Sequence, residues 1–125
     1  LIENSSIKHL KTIQNNKYVN LLFNASALVG NSSSGIIETP FLKIPSVNIG
    51  TRQQGRLKSL SVIDVTYDKN EIKKAIKKAI FDKNFRNNVK KSTSPYGDGN
   101  SASKIIKILE NLDFSKIPIQ KVLSY

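Results

Sequence analysis

Two short apolar runs, each closed by a glycine, constrain this chain most. Ala27-Leu28-Val29 ends at Gly30, and Ser46-Val47-Asn48-Ile49 ends at Gly50. Runs this short, bounded by glycine and polar residues, match strands buried on both faces. A third stretch, Ser61 to Thr66, alternates around Val62, Ile63 and Val65 and reads as a third strand. Leu10 to Ile13 alternates over four residues and reads as a further short strand ahead of them.

Helical signals lie between and after these runs. Val19, Leu22 and Phe23 sit at helical spacing within Asn16 to Ser26. A short helix is expected to start near Ser34, with Ile36 and Ile37 in its first turn. Asp68 is placed to cap a third helix, and Glu71 stands three residues later, as in a capping box. Ile72, Ala75, Ile76, Ala79 and Ile80 then repeat on one helix face. Phe81, Phe85 and Val89 suggest another short helix, and Ala102, Ile105, Ile106, Leu109 and Leu112 a last amphipathic one. Thr51 to Ser59 and the Pro/Gly-containing Ser92 to Asn100 read as loops. Strands separated by helices imply an α/β fold: a Rossmann-like parallel sheet with flanking helices. A length of 125 residues allows one such domain, placed at 1–112, with 113–125 as an irregular tail expected to pack poorly.

Composition removes several function classes. The chain has no cysteine and a single histidine, His9, so thiolate metal sites and histidine-rich sites are excluded. No metal or other cofactor is expected. No apolar run approaches a membrane span, and residues 1–6 show no signal-peptide pattern. The formal charge of +11 invites a nucleic-acid reading. Against it, only Arg52, Arg56 and Arg86 are arginine, and no aromatics interleave with the lysines. Lys69, Lys73, Lys74, Lys77 and Lys78 instead fit the solvated face of one helix. The abundance of Lys, Asn and Ile fits an AT-rich genome.

The chemistry concentrates after the first buried strand. A strand, a Gly/Ser loop and a helix start in succession make an anion site, because free N–H groups and the helix dipole meet there. The loop is Gly30-Asn31-Ser32-Ser33-Ser34-Gly35. The Ser32 and Ser33 hydroxyls would add donors, and Gly35 would let a ligand approach the backbone. Glu38, one helical turn beyond Ser34, suits the vicinal hydroxyls of a ribose better than a phosphate. Arg52 and Arg56 lie just after the second buried strand, where a guanidinium could fork a diphosphate.

The runs Gly30-Asn31-Ser32-Ser33-Ser34-Gly35-Ile36-Ile37-Glu38 and Pro45-Ser46-Val47-Asn48-Ile49-Gly50-Thr51-Arg52-Gln53, then Gly55-Arg56, resemble the hydrolysing branch of the UDP-N-acetylglucosamine 2-epimerase family. Pro95-Tyr96-Gly97-Asp98-Gly99 is similar to that family's late loop. The resemblance implies the C-terminal half of a glycosyltransferase-B type fold, in a cytoplasmic bacterial enzyme of sialic-acid-type pathways. It implies UDP contacts for Ile13, Ser32, Ser33, Glu38 and Arg52. Asn31, Gly35, Gln53 and Arg56 are secondary candidates from the same runs. It places the acid/base groups outside this chain, so no catalytic residue is assigned and the chain alone is expected to be inactive. The implied partners are a UDP-sugar (UDP-N-acetylglucosamine or a diacetamido relative) and the N-terminal half of the same enzyme, with a second copy held open. A glycosyltransferase half of the same architecture and a basic nucleic-acid domain are the alternatives.

Overall fold

The apolar runs become three parallel strands in a computed structural model that describes residues 6–117. Strands β1 (Leu28–Gly30), β2 (Ser46–Ile49) and β3 (Val62–Val65) lie in the order β1-β2-β3. Leu28 pairs with Ser46, and Ser46 with Val62. Helices α1 (Asn15–Phe23), α2 (Ser34–Phe41), α3 (Lys69–Phe81), α4 (Lys83–Lys91) and α5 (Ser101–Glu110) accompany them. The expected α/β class, a parallel sheet with flanking helices, is borne out.

Strand alternation assigns the two faces. Ser46 and Asn48 face α2: Ser46 Oγ donates to the Gly35 carbonyl at 2.6 Å. Val47 and Ile49 point the other way, where Val47 packs with Ala75 and Ala79 of α3. Ile63, Val65, Ile76 and Phe85 close over this cluster. The small Ala75 and Ala79 bring α3 close to the sheet, and its lysines stay in solvent. The step from β2 to β3 contains no helix; the loop between Gly50 and Ser61 makes the crossover. Gly50 ends β2 at φ +76, with the Tyr67 ring 2.3 Å from where a Cβ would stand. Only glycine fits that turn without moving the ring.

Two local expectations are corrected. Leu10 to Ile13 is irregular rather than a strand. Leu10 is exposed, and no described strand lies beyond β1 to receive the segment's backbone bonds. The capping box is half made: Asp68 accepts from the N–H groups of Asn70 and Glu71, both at 2.9 Å, but Glu71 turns back to Thr66. Its carboxylate accepts from the Thr66 hydroxyl at 2.6 Å and the Thr66 N–H at 3.0 Å. These bonds hold the Glu71 carboxyl below its ordinary pKa. Helix α5 forms, yet Ile105, Ile106 and Leu109 remain exposed among the described residues. Phe114–Lys116 makes a short 3-10 turn. The rest of the tail, 118–125, and the reading of 1–5 lie outside the described residues. No helix among the described residues is long and apolar enough to cross a membrane.

Candidate functional site

The site begins where β1 gives way to α2. Gly35 N–H bonds the Ser32 carbonyl at 3.1 Å, and Ile36 N–H bonds the Ser33 carbonyl at 2.9 Å. Ser34 N–H meets Ser32 Oγ at 3.3 Å. The turn is thereby tightened, and its own donors are consumed from Ser34 onward. Among the described residues, no hydrogen-bond partner meets the N–H of Ser32 or Ser33. Ser33 is the N-cap of α2, but its hydroxyl makes no capping bond. A serine placed there for capping would accept from N2 or N3. Two backbone donors and the Ser33 hydroxyl are thus left for something outside the helix.

The three serines divide their work. Ser34 is buried, and its Oγ accepts from the Tyr18 hydroxyl at 2.7 Å, which ties α1 to the start of α2. Ser32 is exposed and Ser33 half-buried. Gly35 differs from its expected role of admitting a ligand. It is buried against the sheet, and a Cβ there would stand 3.3 Å from Ser46 Oγ and 3.6 Å from Leu28. Its absent side chain serves close helix–strand packing, and its N–H is already taken.

The loop after β2 arrives beside this turn because β1 and β2 are neighbours. Gln53 is 3% exposed and donates through Nε2 to the Asn31 carbonyl at 2.7 Å. Arg52 stays exposed; its Nη1 stands 3.4 Å from the Asn31 carbonyl and 3.5 Å from Asn31 Oδ1. The structure therefore brings Asn31, Ser32, Ser33, Arg52 and Gln53 together. Arg56 is exposed in the same loop, and no described hydrogen bond ties it to the cluster. The loop is also fastened from β3. Lys58 Nζ meets Asp64 at 2.8 Å, and Asn48 Nδ2 donates to Asp64 Oδ1 at 2.7 Å. Burial raises the Asp64 carboxyl, but these bonds and the Lys58 charge outweigh it and hold the pKa below its ordinary value.

Glu38 projects from α2 into a cleft of about 350 Å³ shared with Val19, Ile37, Phe41, Tyr96 and Gly97. The resemblance places Pro95 to Gly99 in a late loop and gives Tyr96 and Gly97 no place beside Glu38. The Pro95 to Gly99 run was the available signal. Tyr96 Oη donates to the Leu57 carbonyl at 3.0 Å, joining the late loop to the loop that carries Arg52. Lys43 Nζ donates to the Ser92 carbonyl at the loop's other end. Asp98 accepts from the Asn100 N–H and from Lys104, and its carboxyl is lowered to about 2. Ile13 is half-buried and lines a different cleft, of about 580 Å³, with Leu10, Gln14 and Leu21.

A patch of free N–H groups, hydroxyls and one arginine suits phosphate oxygens. A carboxylate one turn further on suits hydroxyl donors. Residues 1–110 match the family model described as UDP-N-acetylglucosamine 2-epimerase. Polysialic acid biosynthesis protein P7 of Escherichia coli is 38% identical over 109 residues, 87% of this chain and 28% of that protein. The GDP/UDP-N,N'-diacetylbacillosamine 2-epimerase (hydrolyzing) of Campylobacter jejuni is 40% identical over 102 residues, 81% of this chain and 26% of that enzyme. The UDP-N,N'-diacetylbacillosamine 2-epimerase (hydrolyzing) of Legionella pneumophila is 29% identical over 125 residues, 99% of this chain and 32% of that enzyme. The chain thus spans between a quarter and a third of the length of these relatives.

Proposed function

The chain belongs to the UDP-N-acetylglucosamine 2-epimerase family, and from that premise we propose that it is the UDP-binding part of a hydrolysing 2-epimerase. The overall reaction would convert a UDP-sugar to an N-acetylmannosamine-type sugar and UDP. The observation that carries the reading is the meeting of free donors at Ser32 and Ser33 with Arg52, at the carboxyl ends of β1 and β2. Ligands of parallel sheets bind outside those ends.

In this reading the Ser32 and Ser33 groups and Arg52 hold the diphosphate, and Glu38 accepts from the ribose hydroxyls. Ile13 meets the uracil through its main chain, and Asn31 and Arg56 lie at the margin. The chain's contribution to catalysis is electrostatic. As the bond from the sugar to UDP breaks, negative charge grows on the diphosphate, and preorganised donors stabilise it. Removal of the C2 proton and addition of water are assigned to groups in the full-length protein outside this chain. The domain is placed at 1–112, with 113–125 as a tail, in a cytoplasmic enzyme. Its partners are the UDP-sugar, with UDP-N-acetylglucosamine and its diacetamido relatives as the candidate class, and the remainder of the enzyme.

Calorimetric titration of the full-length protein tests the assignment. UDP should bind saturably, and Glu38→Ala should weaken both UDP and uridine tenfold or more. The lost contacts are charge-assisted bonds of about 1.5–3 kcal/mol each, and both ligands carry the ribose. Saturable binding of neither ligand overturns the reading. The 125-residue chain alone should release no UDP from UDP-N-acetylglucosamine above a no-protein control.

A further inference from the structure

We propose that Gln53 is a positioning residue that aims the Ser32 N–H at the ligand by holding the Asn31 carbonyl. The inference rests on the reading of this loop as a diphosphate site, and it assigns Gln53 no contact with the ligand. Gln53 is buried, so its side chain does not reach the open face where a ligand would sit. Its Nε2 donates to the Asn31 carbonyl at 2.7 Å. That carbonyl and the Ser32 N–H belong to one peptide unit, which is planar and, with no cis bond among the described residues, trans. The two groups of a trans peptide point in opposite directions. A bond that draws the carbonyl inward therefore turns the Ser32 N–H outward, and that N–H has no partner among the described residues.

The other end of the Gln53 side chain supports this assignment. Its Oε1 is buried and meets no hydrogen-bond donor among the described residues. Buried polar atoms are ordinarily satisfied, and one that is not asks for an explanation. A glutamine kept only for packing could be replaced by an apolar side chain of similar length with no oxygen to bury. Gln53 supplies a donor that such a side chain would lack, and reversing the amide would set oxygen against the Asn31 oxygen. Arg52 cannot substitute, because its bonds to Asn31 are at the outer limit of length and its side chain is exposed.

Gln53→Glu tests the inference, because it preserves shape and makes the donor depend on pH. The carboxylate repels the Asn31 carbonyl, whereas the protonated acid can donate to it. UDP and uridine are titrated calorimetrically into the native and variant full-length proteins from pH 5.5 to 8.5. The variant should bind UDP at least tenfold more weakly than native at pH 8.5, and uridine within twofold of native. At pH 5.5 the UDP ratio should shrink to about threefold or less. Gln53→Leu, which lacks the donor at every pH, should weaken UDP without any recovery. A merely structural role would lower both ligands alike and give the two variants the same pH profile; that pattern overturns the inference. So does UDP binding within twofold of native in Gln53→Glu at pH 8.5. If Gln53→Glu fails to fold, Gln53→Leu decides: UDP binding within twofold of native overturns the inference, and a loss confined to UDP supports it. A native protein that binds no UDP overturns the diphosphate reading itself, and this inference with it.

Discussion

Arg52→Ala separates ligand binding from fold stability more cleanly than any other change at this site. The guanidinium approaches Asn31 only at 3.4 and 3.5 Å, from an exposed position. Bonds of that length on a solvated side chain contribute little, so the fold should lose no more than about 0.5 kcal/mol. The remaining guanidinium donors are available to a diphosphate. A charge-assisted hydrogen bond contributes about 1.5–3 kcal/mol, and about 1.4 kcal/mol is tenfold in affinity. Loss of a single such bond should therefore raise the dissociation constant for UDP by at least tenfold, and loss of a two-bond fork by about a hundredfold or more. Uridine, which lacks the diphosphate, should change by less than twofold. Lys77→Ala, on the solvated face of α3, controls for general positive charge and should leave both ligands within about 0.5 kcal/mol. Calorimetric titration of the three full-length proteins with UDP and uridine, beside thermal melting, reads all of these quantities. Equal weakening of UDP by Lys77→Ala and Arg52→Ala would mean that overall charge, not this loop, holds the ligand. Equal loss of UDP and uridine in Arg52→Ala would remove the diphosphate assignment.

Two further predictions concern the scaffold. Gly35→Ala should destabilise by about 1–2 kcal/mol, because its Cβ would stand 3.3 Å from Ser46 Oγ in a packed interface. With Ser46→Ala also present, the nearest remaining atoms lie at 3.5 and 3.6 Å, ordinary contact distances. Chemical denaturation should then show Gly35→Ala costing at least about 0.5 kcal/mol less in that background, and strict additivity would refute the packing role. At Asp98 the folded carboxyl is lowered from 3.8 to about 2, so its contribution to the late loop is complete above about pH 4 and fades as pH falls toward 2. An NMR titration should find its midpoint near 2, and a midpoint near 3.8 would show that the bonds to Asn100 and Lys104 do not form in solution.

The strands and α3 were legible because their signals are local. Glycine closes β1 and β2 where the backbone needs positive φ, and the Ala75/Ala79 pair sits on the face that meets Val47. Ser32, Ser33, Asn31, Arg52 and Gln53 could be drawn from two runs, and the neighbouring strands bring them together. What the sequence did not reveal is which way each side chain turns. Arg52 and Gln53 are adjacent, yet one faces solvent and the other is buried. Gly35 read as an opening for a ligand because Ser46, the residue it packs on, is eleven positions away. Glu71 read as the partner of Asp68, but the Thr66 hydroxyl is the better donor within its reach. Leu10 to Ile13 has strand-like alternation, and only the absence of a described strand beside it shows that alternation alone does not make a strand.

The register of the sheet also bears on how the protein acquires the shape of its candidate binding loop. Leu28 and Ser46 are eighteen residues apart, and Ser46 and Val62 sixteen. Contacts of such short span cost little loop-closure entropy and are associated with rapid folding. The bond between Gln53 and Asn31 falls within the same stretch of chain. Pairing β1 with β2 therefore delivers the two loops to each other in the same step. Helix α5, which lays no side chain in the buried core, is not needed for that step. A nascent chain would hold the turn between β1 and α2 in shape once α3 has covered the sheet through Ala75 and Ala79, before the late loop arrives to close the cleft beside Glu38.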